Sequence, residues 1–500
     1  MQITKLIGGL ATPPLKIIGG TDADVQRLCC DSRENAQDSL FFCLTGGEKD
    51  GHNYAHIAMQ KGAKALVVER ELNLPILQVV VENTRIALAQ IASAFYGYPS
   101  ERMQVIAITG TNGKTTTANM LAALLKADGK KVGVIGTLGA RYLAQTIAST
   151  LTTPDPIQLQ ALLARMAIEG ITHVVMEASA HALYYHKTSG MRFAACIFTN
   201  LTHDHLDFFA TPAAYKQAKA RLFTMENCPI AILNGDDPVG REFGALREND
   251  DGVKTLYYGL QTPTDAFALI TDENIHRTEC VFNLSDKLCR VSLHCIGKHN
   301  VYNALAAACC ALELGVNVSS LRKGFLSLSH VDGRLQKVAS IDGANIFIDY
   351  AHTPDGLKNA LQTLKSHCQG KLICLFGCGG NRDKSKRVPM GETAAKLCDF
   401  CVLTSDNPRY EDPLDILSQV EKGYRRFSQK YVMISQRARA IEYALDLLGK
   451  GDILLVAGKG AEEYQEIMGI KYPFSDHNII KNIIGGKREE FPFETEETTV

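Results

Sequence analysis

The densest chemistry in the chain lies between Val105 and Thr117, in the run VIAITGTNGKTTT. An apolar run of strand character enters a glycine turn, and Lys114 and Thr115 follow at what reads as a helix start. Glycines let successive backbone N–H groups close on a phosphate, and a helix N-terminus adds a positive field. A lysine there supplies a point charge, and the next threonine hydroxyl can ligate Mg²⁺. The spacing is G-x-x-G-K-T, shorter than the common G-x-x-x-x-G-K-[ST]. Gly110, Thr111, Asn112, Gly113, Lys114, Thr115 and Thr116 are therefore expected to cradle the phosphates of a nucleotide.

Two further clusters suit a cation. Glu177 ends the strand-like run HVVME, which places a carboxylate at the carboxyl edge of a sheet, where ligands collect. Thr199 to Asp207, TNLTHDHLD, follows the apolar run AACIF in the same way. Mg²⁺ takes oxygen ligands, and two such ions could bridge the phosphates of ATP. Each residue alone would serve as a cap or a satisfied polar group. Their joint position after strands of one phosphate-loop sheet argues for a site.

The elements that must hold these residues are legible from periodicity. The first hundred residues alternate short β-rich runs with helical stretches such as TRIALAQIASAFYG. From Val105 a β-α rhythm takes over, and strands alternating with helices mean crossover units and a mainly parallel sheet. A strand-rich stretch runs from about Gly259 to Ile296, and a second β-α series opens near Asn345. The expected organisation is α/β in three domains: a small αβ cap (1–100), a central phosphate-loop domain with a mainly parallel sheet (101–334) and a doubly wound, Rossmann-like domain (335–485). The hinge is expected at Val331 to Arg334. The acidic tail 486–500 lacks periodicity and is expected to fray.

Composition narrows the class. Apolar residues make up 46% and charged residues 21%, as in ordinary globular proteins, and 53 basic against 54 acidic side chains leave a net charge of −1. That balance gives no reason to expect a nucleic-acid or anionic-lipid partner. No apolar run of about eighteen residues is present, so no membrane span is expected. The start MQITKLIGGL reads as unprocessed, and a cytoplasmic location is expected. The 15 cysteines sit mostly in apolar runs, which suits core packing in a reducing compartment. Cys398 and Cys401 form a CxxC without a second pair at zinc spacing, so they too are read as core.

In order along the chain, GTNGKTTT, MEASAHAL, TNLTHDHLDF, YKQAKARLF, GKHNVYNALAA, DGRLQKV, DYAHTPDGL, GCGGNRDKSKR, DNPRYEDP and GKGAEEYQ resemble the motif series of the Mur ligases. The likeness runs from about Cys30 to His477. It implies an ATP-dependent ligase that adds meso-2,6-diaminopimelate to UDP-N-acetylmuramoyl-L-alanyl-D-glutamate through an acyl phosphate, in peptidoglycan precursor synthesis. Mg²⁺ is the implied cofactor, small molecules are the implied partners, and a monomer is expected. The resemblance assigns Lys114 and Arg334 to the transferring phosphate, and Asn300, Asn303, Asp349 and His352 to the nucleotide. It assigns Thr115, Glu177, His205 and Lys219 to the metal, with Lys219 as a carbamate and Lys216 as its neighbour without a role.

For the acceptor the resemblance implies Arg387, Asp406, Asn407, Pro408, Arg409, Gly458 and Glu462. Arg409 can fork onto the carboxylate at the far end of diaminopimelate, which lysine lacks. Leaving a buried guanidinium unmatched predicts discrimination against lysine on the order of a thousandfold or more. For the UDP-sugar side it implies Ser32, Gly47, Glu48, Lys49, Thr152, Thr153, Ser179, Tyr185 and Lys187. The chain departs from the family pattern at Tyr185 and Lys187, where glutamine and arginine are usual, and at Ala180 and Ala461. DNPR and the cap motifs argue against lysine-adding and folylpolyglutamate-forming sisters. A phosphate-loop ATPase without ligase activity would be expected to lose the metal residues or Lys219, and none is lost.

Overall fold

Three sheets follow one another along the chain in a computed structural model that describes residues 1–20, 22–46, 49–149, 151–224, 228–247 and 252–486. The first holds β1 (Lys16–Ile18), β2 (Arg27–Cys29), β3 (Ser39–Phe42), β4 (Ala65–Val68) and β5 (Leu77–Val80) in the order β1-β5-β4-β3-β2. Its strands pair in parallel except for the edge strand β1. β3, β4 and β5 are buried at every position, which is why they read as unbroken apolar runs rather than alternating ones. The helix Thr84–Phe95 covers this sheet, and the Asn83 side chain caps it by accepting from the Arg85 and Ile86 amides.

The central sheet has eleven strands: β6 (Gln104–Thr109), β7 (Val132–Gly136), β8 (Gly139–Tyr142), β9 (Gln145–Ile147), β10 (His173–Glu177), β11 (Ala195–Phe198), β12 (Ile230–Asn234), β13 (Lys254–Gly259), β14 (Ala266–Asn274), β15 (Arg277–Leu284) and β16 (Lys287–Leu293). The order is β16-β15-β14-β13-β12-β11-β6-β10-β7-β8-β9. The run from β14 to β7 is parallel, and antiparallel strands extend both edges. The strand-rich stretch after Gly259 supplies one of those extensions. β6 lies between β10 and β11, with Ile108 opposite Glu177 and Thr109 opposite Phe198. The three segments with chemistry therefore leave neighbouring strands at one edge, at a switch in strand order, where α/β sheets place their ligands.

Helix Lys114–Ala127 leaves that edge and packs against the helices Lys298–Glu313 and Val318–Ser327. The alanine-rich run ALAAACCA buries nearly all round, so small side chains let the helices approach closely. Among the described residues no helix is long and apolar enough to cross a membrane. The fifteen cysteines are free and largely buried, with Cys398 and Cys401 in the core of the third sheet.

The third sheet holds β17 (Gln336–Ile341), β18 (Ala344–Asp349), β19 (Leu372–Phe376), β20 (Phe400–Leu403), β21 (Tyr431–Met433) and β22 (Ile453–Ala457) in the order β17-β18-β22-β19-β20-β21. Only β17 runs antiparallel, and a separate apolar core covers each face, as in a doubly wound sheet. A hairpin of β23 (Tyr464–Ile467) and β24 (Ile470–Pro473) follows. Met468 and Gly469 both have positive φ, as a two-residue turn of this hand requires.

Two helices on one face of the third sheet, Arg387–Leu397 and Pro413–Tyr424, meet through reciprocal glycines. A Cβ on Gly391 would lie 2.1 Å from the Val420 carbonyl oxygen, and one on Gly423 would lie 2.1 Å from that of Val388. Both obstacles are backbone, so a methyl group must push the helices apart. Gly423→Ala should lower the free energy of unfolding by about 1–3 kcal/mol or more, read from urea denaturation. A variant as stable as the parent would show that this pair slides apart without cost.

Candidate active site

The glycine turn after β6 closes over the start of helix Lys114–Ala127. Gly113 adopts φ 86°, and a Cβ there would lie 2.3 Å from Asn303 Oδ1, so this position needs glycine on both counts. The loop after β11 buttresses the turn: Thr199 Oγ1 donates to the Asn112 carbonyl at 2.6 Å, and the Asn112 amide donates to Asn200 Oδ1 at 2.9 Å. Lys114 Nζ folds back onto the carbonyls of Gly110 (2.9 Å) and Thr111 (2.8 Å). The turn opens into a cavity of about 500 Å³, lined also by Glu177, His205, Lys219, Asn300, Asn303, Arg334, Asp349 and His352. Residues that the sequence spreads over two sheets thus share one cavity.

Glu177 is 1% exposed and accepts from the Thr115 hydroxyl (3.1 Å), the Thr137 amide (2.9 Å) and the Thr137 hydroxyl (3.2 Å). These donors are neutral, and among the described residues no Lys, Arg or His lies in ion-pair contact with it. A buried carboxylate without a countercharge is costly, and a hard divalent cation beside oxygen donors would supply one. Thr115 and Glu177 fit such an ion. His205 stands apart, at φ 56°, with its ring edge-on to His181 and its Nε2 3.3 Å from Asp204. Burial moves its pKa down to about 3. Among the described residues no three His, Cys, Asp or Glu side chains converge into a ready-made cage.

Lys219 is 1% exposed, on the helix Pro212–Ala220, and donates to the Gly110 carbonyl at 2.7 Å. Two amines, Lys114 and Lys219, therefore share one carbonyl oxygen. Burial first, and then the charge of Lys114, push Lys219 well below the usual lysine range. Lys216, one turn earlier, is a surface residue paired with Glu242. Sequence alone could not separate these two lysines without the family pattern.

The third sheet faces the turn through Arg334, whose Nη2 donates to Thr115 Oγ1 at 2.9 Å and whose guanidinium lies 4.4 Å from the Tyr350 ring centroid. Asp349 accepts from the Leu335 and Ala351 amides and so fixes the strand end behind Arg334. Asn300 and Asn303 bond to each other, and Asn303 accepts from Thr117, directly behind the glycine turn. Three bridging residues were given no individual role by the sequence. Asp204 lies between His205 and His352, the latter at 3.8 Å. Asp355 accepts from Asn112 at 3.2 Å, and Tyr350 donates to Glu462 at 3.4 Å. All three lie in segments that the sequence singles out, but only the fold shows what they touch.

At the end of β20, Asp406, Asn407, Pro408 and Arg409 form a loop clamped by the hairpin β23–β24. Arg409 has φ 53°, held by its amide on the Glu466 carbonyl (3.0 Å) and by the Met468 amide on its own carbonyl (2.7 Å). Its guanidinium donates to Glu466 Oε2 (3.1 Å) and to the Gly380 carbonyl (2.8 Å). This corrects the expectation of a buried, otherwise unmatched guanidinium: the side chain is partly exposed and already paired. Arg387 also departs from a direct ligand contact. It is completely buried and forks onto Glu411 at 3.0 Å through both terminal nitrogens. Gly458 approaches Asp406 so closely that a Cβ would lie 2.4 Å from the carboxylate.

On the sugar side, Gly47 and Glu48 lie outside the described residues, as does the tail from 487. Lys49 is exposed, and Ser32 gives its carbonyl to Lys61. Thr153 donates to the Glu177 carbonyl, Thr152 contacts Thr137, and Ser179 caps a short helix. The departures have partners: Lys187 pairs with Asp155 at 2.7 Å, and Arg85 lies over the Tyr185 ring at 4.3 Å.

Three family models match the chain: a Mur ligase family catalytic domain at residues 24–96, a Mur ligase middle domain at 108–311 and a Mur ligase glutamate ligase domain at 333–460. A UDP-N-acetylmuramoyl-L-alanyl-D-glutamate–2,6-diaminopimelate ligase of Caldanaerobacter subterraneus subsp. tengcongensis is 39% identical, covering 97% of this chain and 99% of its own. A solved structure of a ligase of the same description is 31% identical with a TM-score of 0.67, covering 93% of this chain and 96% of that one. A MurF ligase of Thermotoga maritima in complex with ADP shares the fold at 20% identity and a TM-score of 0.59, covering 93% and 98%.

The Arg387–Glu411 fork has a pH signature. The Arg387 hydrogen bond holds the Glu411 carboxyl at about 2, against an ordinary 4.5. A carboxyl depressed in the folded state contributes stability that is complete above its unfolded value and is lost as the pH falls towards the folded one. The urea midpoint should therefore fall between about pH 5 and about pH 2, and Glu411→Gln should be less stable at neutral pH with a shallower acid fall. An unchanged acid slope in that variant would assign the loss to other carboxyls.

Proposed function

The chain belongs to the Mur ligase family, and from that premise we propose that it joins meso-2,6-diaminopimelate to UDP-N-acetylmuramoyl-L-alanyl-D-glutamate, using ATP. One observation carries the reading: contacts run unbroken from the phosphate cradle to the acceptor loop, from Thr115 to Arg334, Tyr350 and Glu462. A site that must bring a phosphorylated carboxylate to an amine needs such continuity.

In this reading the glycine turn and Lys114 hold the phosphates, and Arg334 reaches across from the third sheet to the phosphoryl group as charge develops on it. The muramoyl-dipeptide carboxylate receives that group and becomes an acyl phosphate. The acceptor amine then attacks the acyl carbon and phosphate leaves. Thr115 and Glu177 would hold Mg²⁺, with His205 and the Lys219 carbamate as further ligands. When bound, the ion would offset phosphate charge. Arg409 meets the acceptor's distal carboxylate, Glu462 meets its distal ammonium, and Arg387 acts through Glu411. Thr152, Thr153, Ser179, Tyr185 and Lys187 face the muramoyl peptide, and Ser32 and Lys49 face the uridine.

Lysine in place of diaminopimelate forfeits a charged hydrogen bond, but Glu466 keeps the Arg409 guanidinium partly satisfied. The loss is then about 1.5–3 kcal/mol, or about tenfold to a hundredfold in kcat/KM rather than a thousandfold. A panel of amino acids ligated onto the UDP-muramoyl dipeptide measures this. Equal rates with lysine and meso-diaminopimelate would overturn the acceptor assignment.

A carbamate forms when a neutral amine attacks CO₂ and loses a proton, and the burial that pushes the Lys219 amine towards its neutral form favours it. Lys219→Ala should abolish most ligation with the fold intact, and added acetate or formate should restore part of it. Lys219→Arg should not respond, because a fixed cation fills the space. Lys216→Ala should stay active. Ligation by Lys219→Ala at the parent rate would refute the modified-lysine reading.

A further inference from the structure

Lys459 is 0% exposed, so no substrate can touch it. Its stem follows β22, and its ammonium lies near the rings of Tyr464 (5.7 Å) and Phe474 (5.9 Å). The ammonium donates to Asn407 Oδ1 at 3.0 Å and to Glu462 Oε2 at 3.1 Å. Asn407 Nδ2 closes the triangle by donating to the same Glu462 oxygen at 2.9 Å. A second donor, the Glu466 amide, also points at Asn407 Oδ1, at 2.9 Å. The amide of Asn407 can therefore face only one way, with its oxygen towards two donors and its nitrogen towards Glu462.

The triangle occupies one carboxylate oxygen of Glu462 with two donors. Among the described residues the other oxygen has only the long contact from Tyr350. We propose that Lys459 is a positioning residue that turns Glu462 Oε1 towards the acceptor and thereby makes the site read the handedness of the acceptor's distal carbon. The inference rests on the assignment of Arg409 and Glu462 to that carbon. Its ammonium and carboxylate differ in charge, and the chain's other end is tethered at the acyl group. Fixing the carboxylate at Arg409 and the ammonium at Glu462 then admits one order of substituents. If Glu462 can swing, the two groups of the mirror centre can both find partners.

The test is steady-state ligation by the full chain with meso- and LL-diaminopimelate, set beside hydroxylamine trapping of the acyl phosphate, which needs no acceptor. Lys459→Met should raise KM for meso-diaminopimelate roughly tenfold and lower the meso-over-LL preference several-fold, with trapping within about twofold of the parent. A purely structural role would lower trapping and ligation together and leave the preference unchanged. That result overturns the proposal, as does an unchanged KM. Lys459→Gln, which keeps a donor without the charge, is read by the same two measurements should the methionine variant fail to fold, and loss of trapping in both also overturns it. A parent enzyme that ligates neither isomer would instead refute the acceptor assignment itself.

Discussion

The site is organised by charges that the fold takes out of water without fully pairing them. Lys114 and Lys219 converge on one carbonyl, that of Gly110, while Glu177 sits nearby with only neutral donors. Opposite charges in contact would have been the cheaper arrangement for stability. Keeping them apart leaves capacity for something the protein does not itself provide: an anion for Lys114, a cation for the carboxylate. In the proposed reading, nucleotide phosphates and Mg²⁺ meet that description. The strand order enforces the separation, since β6, β10 and β11 deliver the turn, the carboxylate and the histidine loop to one edge on adjacent but distinct strands.

That edge is incomplete without the third sheet. Arg334 reaches back to Thr115, Asp355 to Asn112 and His352 towards Asp204, so the surroundings of the glycine turn are assembled from segments more than a hundred residues apart in sequence. The same strand end that presents Tyr350 to Arg334 presents its hydroxyl to Glu462. In the proposed reading, phosphate and acceptor therefore answer to one backbone position, and the Asp349 carboxylate, which accepts from the Leu335 and Ala351 amides, holds it still.

Much of this was legible in the sequence because it depends on local pattern. The glycine turn announces itself by its spacing between a strand and a helix, and the parallel sheets by buried runs such as IFI, ICLF and ILLVA. What escaped depends on tertiary contact. The hairpin β23–β24 turns on Met468-Gly469, which lacks the Asn-Gly signature, so neither Glu466 nor its hold on Arg409 could be foreseen. The fork of Arg387 onto Glu411 joins two helices and carries no spacing signal at all. Lys459 lies in a recognised motif, yet its complete burial is a property of the packed rings around it.

The departures at positions 185 and 187 show the limit of reasoning position by position. Replacing an arginine by Lys187 reads as the loss of a guanidinium, and Lys187 is indeed committed to Asp155. A guanidinium is nonetheless present two residues away, because Arg85, from the helix covering the first sheet, lies on the face of Tyr185. Arg85 also donates to the Thr45 carbonyl at 2.8 Å, which ties it to the loop after β3. A tyrosine face attracts a cation where a glutamine would not, so the aromatic substitution and the incoming arginine form one arrangement. What surrounds a position thus depends on what the fold delivers to it, and here the delivery is from a helix of the first domain.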